Sequence, residues 1–255
     1  MNVKCMLLSI MIASCIFADE GRAIAEKAYK NRTGYVQEVT KCVLLLINAK
    51  NDTTKKSFKN LKLEREKGED FSIIQFLNPP GVKGTSLLIH HHLKKDDEQW
   101  LYLPALKRVK RISSRNKTGA FMGSEFSFED MGNYTIDKYK YLYIKEDELE
   151  GKMCHVIECS PLYENSGYKK IKQWITSNDY LLMRSEFFDK KNTIFKVMNL
   201  LEYKRENENY IRPTKLVMKN LITKKTSVIL FQETSFDKGL SESDFSQLNI
   251  QRIIK

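Results

Sequence analysis

The sequence is poor in residues that interrupt or cross-link a chain. Its 255 residues include 5 prolines, 11 glycines and 5 cysteines, and it contains neither a low-complexity segment nor an internal repeat. These scarcities exclude collagen-like, proline-rich disordered and disulfide-rich proteins. Hydrophobic residues make up 42% of the chain and aromatic residues 11%, so a packed core is available. A chain of this length fits one large all-β domain.

Recognisable catalytic and metal-binding motifs are also missing. The sequence contains no glycine-rich phosphate loop, no nucleophile elbow and no HExxH motif. On a strand, the run His90-His91-His92 would place at most His90 and His92 on one face, and no cluster of Cys, His, Asp or Glu stands at ligand spacing. We therefore expect no metal site, no cofactor and no enzymatic activity.

No hydrophobic run reaches the roughly 20 residues that a membrane-spanning helix needs. The N-terminus instead has the order of an export signal, because Lys4 precedes an uncharged run and Ala18 precedes the first acidic residues. Cleavage after Ala18 would remove residues 1–18 and leave residues 19–255 as a single β domain. This interpretation predicts an exported protein of the periplasm.

A second interpretation of the N-terminus is a lipoprotein signal over residues 1–14. Ile12-Ala13-Ser14-Cys15 has the residue classes of a lipobox, in which Cys15 would become the lipidated N-terminus. The mature protein would then be anchored to a membrane as a lipoprotein. A buried N-terminal strand is the third interpretation.

The charge of the chain is strongly positive, with a formal net charge of +11. Such a balance is typical of proteins that bind nucleic acid or anionic membranes. Because the N-terminus predicts export, we expect no nucleic acid and favour an anionic membrane surface as a partner. A solvated basic surface is the alternative.

Most of the chain has the pattern of short strands. Runs rich in Val, Ile, Leu and aromatic residues alternate with breaks that carry Gly, Asn, Asp or Pro, which predicts about ten to twelve strands in an antiparallel meander. Residues 193–204 are apolar on both faces, which indicates that one face is covered or lines a cavity. A sheet this large must curl or close. We expect a curled sheet with a helix over residues 19–31 laid across it, or alternatively a sandwich.

Residues 99–131 combine three features within a short distance. An aromatic strand ends at Pro104, a basic run follows, and a loop rich in Gly, Phe and Met leads to Glu129 and Asp130. Large apolar side chains in a glycine-hinged loop form an adaptable surface that suits a gate. The side chains predicted to line or gate a lipid cavity are Trp100, Leu101, Leu103, Phe121, Met122, Phe126, Phe128 and Met131. Packing in an ordinary core is the alternative.

The basic run contributes Arg108, Lys110 and Arg111. Arginine forks match phosphate and carboxylate groups, so these three side chains are predicted to contact lipid head groups or a partner protein. An edge strand that carries cations to discourage aggregation is the alternative.

The carboxylates that end this stretch have a structural interpretation. Ser127 and Asp130 are spaced as in a helix-capping pattern, so we expect Glu129 and Asp130 to hold the loop in place. A general acid and base pair is the alternative.

Residues 100–112, WLYLPALKRVKRI, and residues 121–131, FMGSEFSFEDM, closely resemble the signature of the outer-membrane lipoprotein-sorting protein family, the LolA-like exported proteins. The resemblance implies a mainly β fold, in which a large, curved and incompletely closed antiparallel sheet forms a half-barrel. A few short helices would lie against its concave face and enclose an apolar cavity for acyl chains. Some members of the family are lipoproteins, which keeps the Cys15 interpretation open.

The same resemblance implies a function. We expect a non-enzymatic periplasmic or membrane-anchored carrier that binds acyl chains of lipoproteins or phospholipids for transfer to the outer membrane. Its partners would be an acyl lipid or lipoprotein, an anionic membrane surface and an inner-membrane transporter. The alternative is an accessory or docking protein of an envelope transporter complex.

Overall fold

The computed structural model describes the backbone of residues 3–65, 68–206 and 210–252, with side chains from Phe17 onward. One α-helix, α1 (Val3–Lys30), is followed within these residues by thirteen strands. The strands are β1 (Gln37–Ile47), β2 (Thr53–Leu63), β3 (Phe71–Asn78), β4 (Ser86–His90), β5 (Glu98–Leu103), β6 (Arg108–Ile112), β7 (Tyr139–Leu149), β8 (Lys152–Pro161), β9 (Lys170–Thr176), β10 (Leu182–Phe188), β11 (Ile194–Glu206), β12 (Tyr210–Asn220) and β13 (Thr226–Phe236).

All thirteen strands belong to one antiparallel sheet. Its order is β6-β5-β4-β3-β2-β1-β13-β12-β11-β10-β9-β8-β7. Strands that are consecutive in the chain are therefore neighbours in the sheet, except that β6 and β7 lie at opposite edges. The pairing of β1 with β13 joins the two halves. The edge strands β6 and β7 do not pair with each other, so the sheet stays open. This confirms the expected curved, incompletely closed half-barrel.

The open edges explain the course of residues 113–138, called here the crossing segment. β6 and β7 are consecutive in the chain but lie at opposite edges of the sheet, so the segment between them must cross from one edge to the other. It does so over the inner face, where Phe121 and Phe126 join the main hydrophobic core. The crossing segment, which carries the second family-like stretch (residues 121–131), thus covers the inner face of the half-barrel.

The sheet is covered on two faces, as the doubly apolar strands indicated. On β4, Leu87 and Ile89 point into the main core under the crossing segment, whereas Leu88 points to the outer face. There the C-terminal residues Phe245 and Ile250 cover a second core cluster. Alternation along the strand therefore places buried side chains on both sides.

Helix α1 packs on the edge strand β7 and buries Ile24, Ala25 and Ala28. At Gly21 the two backbones approach closely, because a Cβ atom added there would lie 2.7 Å from the Tyr143 backbone nitrogen. Within the part of the chain that is described, no helix combines the length and apolarity needed to cross a bilayer.

Replacing Gly21 with valine should therefore separate α1 from β7 and lower the free energy of unfolding by about 1–3 kcal/mol, the usual effect of overpacking. Urea unfolding followed by circular dichroism measures the change. Gly81→Val is the control, since a Cβ atom at Gly81 meets nothing within 4 Å. Equal stability of the Gly21 variant and the control would contradict the prediction.

Candidate functional site

The inner face of the half-barrel encloses a cavity of about 350 Å³. This volume lies within the range of small-molecule sites. Tyr29 of α1 and Phe126 and Met131 of the crossing segment contribute to its walls. The other aromatic and aliphatic side chains of the lining are Tyr35, Phe58, Ile74, Tyr134, Tyr139, Tyr163, Tyr168, Ile171, Leu182, Phe187, Met198, Leu200, Leu216, Ile229 and Phe231.

The charged side chains of the lining come largely from one end of the strands. They include Glu38 near the start of β1, Glu64 just after β2, Asp70 just before β3 and Arg212 near the start of β12. Because these strand ends are neighbours in the sheet, the charges gather at one end of the cavity. The arrangement suits an amphipathic molecule, with apolar walls for its tail and polar groups for its head.

Arg212 and Glu38 form a largely buried ion pair at this end. The Arg212 Nη1 atom lies 2.5 Å from Glu38 Oε2, and the guanidinium packs 4.3 Å from the centre of the Tyr35 ring. Burial alone would raise the pKa of Glu38, but the charges of Lys62 and Arg212 and a hydrogen bond from Thr40 outweigh it and lower the pKa. Glu38 therefore stays ionised and holds Arg212 beside the cavity.

The first half of the crossing segment is fastened to strands on both sides of the β1–β13 junction. Lys56 of β2 donates to the Met122 carbonyl at 2.6 Å. The Glu125 carboxylate accepts from Asn220 Nδ2 at 2.7 Å, and its backbone N–H donates to Ser227 Oγ at 2.9 Å. These contacts plug the end of the cavity opposite Arg212, where β2 begins and β12 ends.

The second half is held through Asp130. Asp130 Oδ2 accepts from both the Ser127 N–H and the Ser127 hydroxyl, so the capping pattern expected from the sequence is present as a turn. The same carboxylate accepts from Lys196 Nζ at 2.6 Å and from the Tyr168 hydroxyl at 2.6 Å. Lys196 and Asp130 are almost fully buried, with side-chain exposures of 4% and 8%. The role of Asp130 is structural in this arrangement.

Glu129 fastens the crossing segment to the loop between β8 and β9. Its carboxylate accepts from the Tyr163 hydroxyl at 2.7 Å, from the Ser166 hydroxyl at 2.5 Å and from the Gly167 N–H at 2.7 Å. Burial raises the pKa of Glu129, although these hydrogen bonds oppose the shift. With three donors satisfied inside the protein, Glu129 also has a structural role.

A buried hydrogen-bond network surrounds His91, and it was not predicted from the sequence. His91 Nε2 lies 2.9 Å from Ser72 Oγ, and its Nδ1 lies 3.1 Å from Asp97 Oδ2. The order Ser, His, Asp resembles a nucleophilic triad, but the Asn133 N–H also points at Nδ1 from 3.0 Å. In a triad, Nδ1 must donate a proton to the aspartate. It cannot do so while it accepts a hydrogen bond from the Asn133 N–H, so these contacts differ from those of a triad. Lys138 also binds Asp97, and together these contacts join β3, the β4–β5 connection and the crossing segment.

The eight predicted lipid-contact residues lie in different parts of the structure. Phe126 and Met131 line the cavity, whereas Phe121, Met122, Phe128 and Leu101 pack in the core beside it. Leu103 is half-buried near the end of β5. Trp100 does not lie at the cavity as predicted: it faces outward and packs with the C-terminal segment in the second cluster. Alternation along β5 places Trp100 and Leu101 on opposite faces.

The three predicted head-group contacts lie on the edge strand β6. Arg108, Lys110 and Arg111 are all exposed, and Arg111 Nη2 lies 2.5 Å from Glu98 Oε1. The strand does not line the cavity. The side chain of Cys15, the alternative lipidation site, lies outside the described side chains. Among the described residues, no group of three His, Cys, Asp or Glu could hold a metal ion.

Comparison with known proteins agrees with this architecture. A family model described as an uncharacterized protein matches residues 68–252. A solved outer membrane lipoprotein-sorting protein domain from Vibrio parahaemolyticus is 36% identical, with a TM-score of 0.89, and the match covers 92% of this chain and 100% of that one. A search of curated proteins finds no significant match.

Two further solved structures are similar. A DUF1329 family protein from Desulfovibrio piger is 26% identical over 92% of this chain and 99% of that one, with a TM-score of 0.86. A LolA superfamily protein from Nitrosomonas europaea, 16% identical with a TM-score of 0.74 over 89% of this chain and 97% of that one, shows the same fold. The chain therefore belongs to the outer-membrane lipoprotein-sorting protein family and has its LolA-like half-barrel fold.

Proposed function

We propose that the protein is a non-enzymatic carrier that binds acyl chains of lipoproteins or phospholipids in its cavity, for transfer to the outer membrane. The observation that carries this proposal is the cavity of about 350 Å³ with apolar walls and one charged end. The family relationship to a lipoprotein-sorting domain supports it. An acyl chain would occupy the apolar walls, and its polar head would lie toward Arg212 and Glu38.

The free energy of acyl-chain transfer explains why a carrier is needed. Burying one CH₂ group contributes about 0.8 kcal/mol of transfer free energy. Moving a sixteen-carbon chain from an apolar site into water would therefore cost roughly 12 kcal/mol. Such a lipid does not cross an aqueous compartment at a useful rate without an apolar container. A carrier must also release its cargo, and opening of the crossing segment would lower its affinity at the acceptor.

In this proposal the crossing segment moves away from β2 and β12 when a long acyl chain enters or leaves the cavity. In this proposal Phe126 and Met131 are the gate residues that touch the cargo.

The proposal extends to the N-terminus and to the edge strand. We propose that the protein is exported, either with cleavage after Ala18 or with lipidation at Cys15. The intact mass of the mature protein distinguishes these two forms. The exposed cations of β6 are proposed to contact head groups or a partner protein such as an inner-membrane transporter.

The direct test is mass spectrometry of an organic extract from the purified protein, which should contain stoichiometric acyl lipid. After lipid removal, the protein should take up a fluorescent fatty acid. A clean extract together with no uptake would overturn the proposal.

A cavity-filling variant tests the location of the cargo. Leu216 lines the cavity on β12, so Leu216→Trp should reduce fatty-acid affinity at least tenfold while the fold is retained. The matched control is Val217→Trp, because Val217 follows on the opposite face of the same strand. Fluorescence titration of both variants measures the difference, and equal affinities would show that the ligand binds elsewhere.

A further inference from the structure

The two rims of the half-barrel differ in charge. Hairpins of an antiparallel meander alternate between the two ends of its strands, and β1 is antiparallel to β13. Six connections therefore lie at the same end of the strands. One of them, residues 162–169 (β8–β9), binds Glu129 of the crossing segment and Asp96 of the β4–β5 connection, and carries one lysine and one glutamate. The other five form what is called here the lysine-rich rim: residues 48–52 (β1–β2), 79–85 (β3–β4), 104–107 (β5–β6), 189–193 (β10–β11) and 221–225 (β12–β13).

These five connections carry seven exposed lysines and two aspartates. The lysines are Lys50, Lys83, Lys107, Lys190, Lys191, Lys224 and Lys225. Both aspartates serve their own turns, because Asp52 accepts from Asn48 Nδ2 and Asp189 accepts from the Lys191 and Thr193 N–H groups. The lysine charge of this rim is thus not neutralised by its own aspartates.

At the opposite rim, acidic residues outnumber basic residues. Within the described residues, its connections 64–65, 68–70, 91–97, 150–151 and 177–181 carry seven acidic and three basic residues. The two rims therefore differ in charge, and a uniformly basic surface does not account for this difference.

Exposed apolar side chains project from the same rim. Leu106, at the β5–β6 turn, is 62% exposed, and Ile222, at the β12–β13 turn, is 70% exposed. Each stands beside lysines, Leu106 next to Lys107 and Ile222 two residues before Lys224. A protruding apolar tip flanked by cations is the arrangement that inserts into the interface of an anionic bilayer.

We infer that the lysine-rich rim docks on an anionic lipid bilayer, with Leu106 and Ile222 inserted among the acyl chains and the lysines on phosphate groups. The cations are spread over five adjacent hairpins and do not converge on a pocket, which fits a planar anionic surface. The plug formed by residues 119–126 lies between this rim and the cavity, so docking would place the proposed gate next to the membrane. That last consequence rests on the proposed carrier function; the docking itself does not.

Co-sedimentation of the full chain with vesicles of phosphatidylcholine, with and without phosphatidylglycerol, tests the inference. The protein should bind the anionic vesicles only. The double variant Lys224→Glu/Lys225→Glu should bind them at least about tenfold more weakly. The control Lys94→Glu/Lys95→Glu changes the net charge equally at the opposite rim and should bind like the wild type.

A second pair of variants tests insertion. Leu106→Ser/Ile222→Ser should weaken binding severalfold, whereas Leu248→Ser, at a residue that is 82% exposed in the C-terminal segment, should not. Because all these side chains are exposed, unchanged circular dichroism spectra are expected. Equal loss in the two charge variants, binding to neutral vesicles, or no binding by the wild type would overturn the inference. Fatty-acid uptake, measured separately without vesicles, reports on the carrier function alone.

Discussion

Replacing Lys196 with methionine should lower the free energy of unfolding by about 3–5 kcal/mol, because it leaves the buried Asp130 carboxylate without its counter-ion. Lys196 Nζ lies 2.6 Å from Asp130 Oδ2, and both side chains are almost fully buried. The pair fastens the crossing segment to β11, so the variant should also loosen the gate. Urea unfolding measures the stability, and hydrogen exchange of residues 121–131 measures the loosening.

An exposed pair of the same length provides the control. Lys41 Nζ also lies 2.6 Å from a carboxylate, Glu233, but the two side chains are 51% and 73% exposed. Lys41→Met should therefore cost less than about 1 kcal/mol. The double variant Asp130→Asn/Lys196→Met should be more stable than Lys196→Met alone, because no buried charge is left unpaired. A cost near that of Lys41→Met would contradict the structural role of the Asp130–Lys196 pair.

Much of the fold could be predicted from the strand pattern. Short apolar runs separated by turn residues indicate a meander, and the pattern of apolar residues on both faces indicates covers on both sides of the sheet. The pairing of β1 with β13 could not be predicted in this way, because no turn joins the two strands. That long-range pairing makes β6 and β7 the edges and so determines that residues 113–138 cross the inner face.

The candidate site was less accessible from the sequence. Alternation shows that Trp100 and Leu101 face opposite sides, but the inner side is decided by distant residues, since Phe245 and Ile250 cover Trp100. Charged residues within strands, such as Lys196, read as solvent-facing in a sequence. The local pattern Ser127 to Asp130 was predictable, because both partners of the hydrogen bonds lie within one turn.

The second large effect is expected at Asp97, the centre of the His91 network. Its Oδ1 atom accepts from Lys138 and from the His92 N–H, and its Oδ2 lies 3.1 Å from His91 Nδ1. Asp97→Asn removes the counter-ion of Lys138, whose side chain is 5% exposed, and should lower the free energy of unfolding by about 3–5 kcal/mol at neutral pH. The exposed acid Glu233 provides the control, and Glu233→Gln should cost less than about 1 kcal/mol.

The pH dependence of this effect distinguishes lost charge pairing from lost packing. Burial alone would raise the pKa of Asp97, but the charges and hydrogen bonds of His91 and Lys138 outweigh it, and the folded-state pKa lies below the unfolded value of about 3.9. Asp97 therefore contributes stability that is present above about pH 4 and is lost as the pH falls through the folded-state pKa. Because the asparagine variant cannot titrate here, its stability gap to the wild type should narrow when urea unfolding is repeated at pH 3. A gap that stays constant from pH 7 to pH 3 would show that the network stabilises the fold through packing and neutral hydrogen bonds alone.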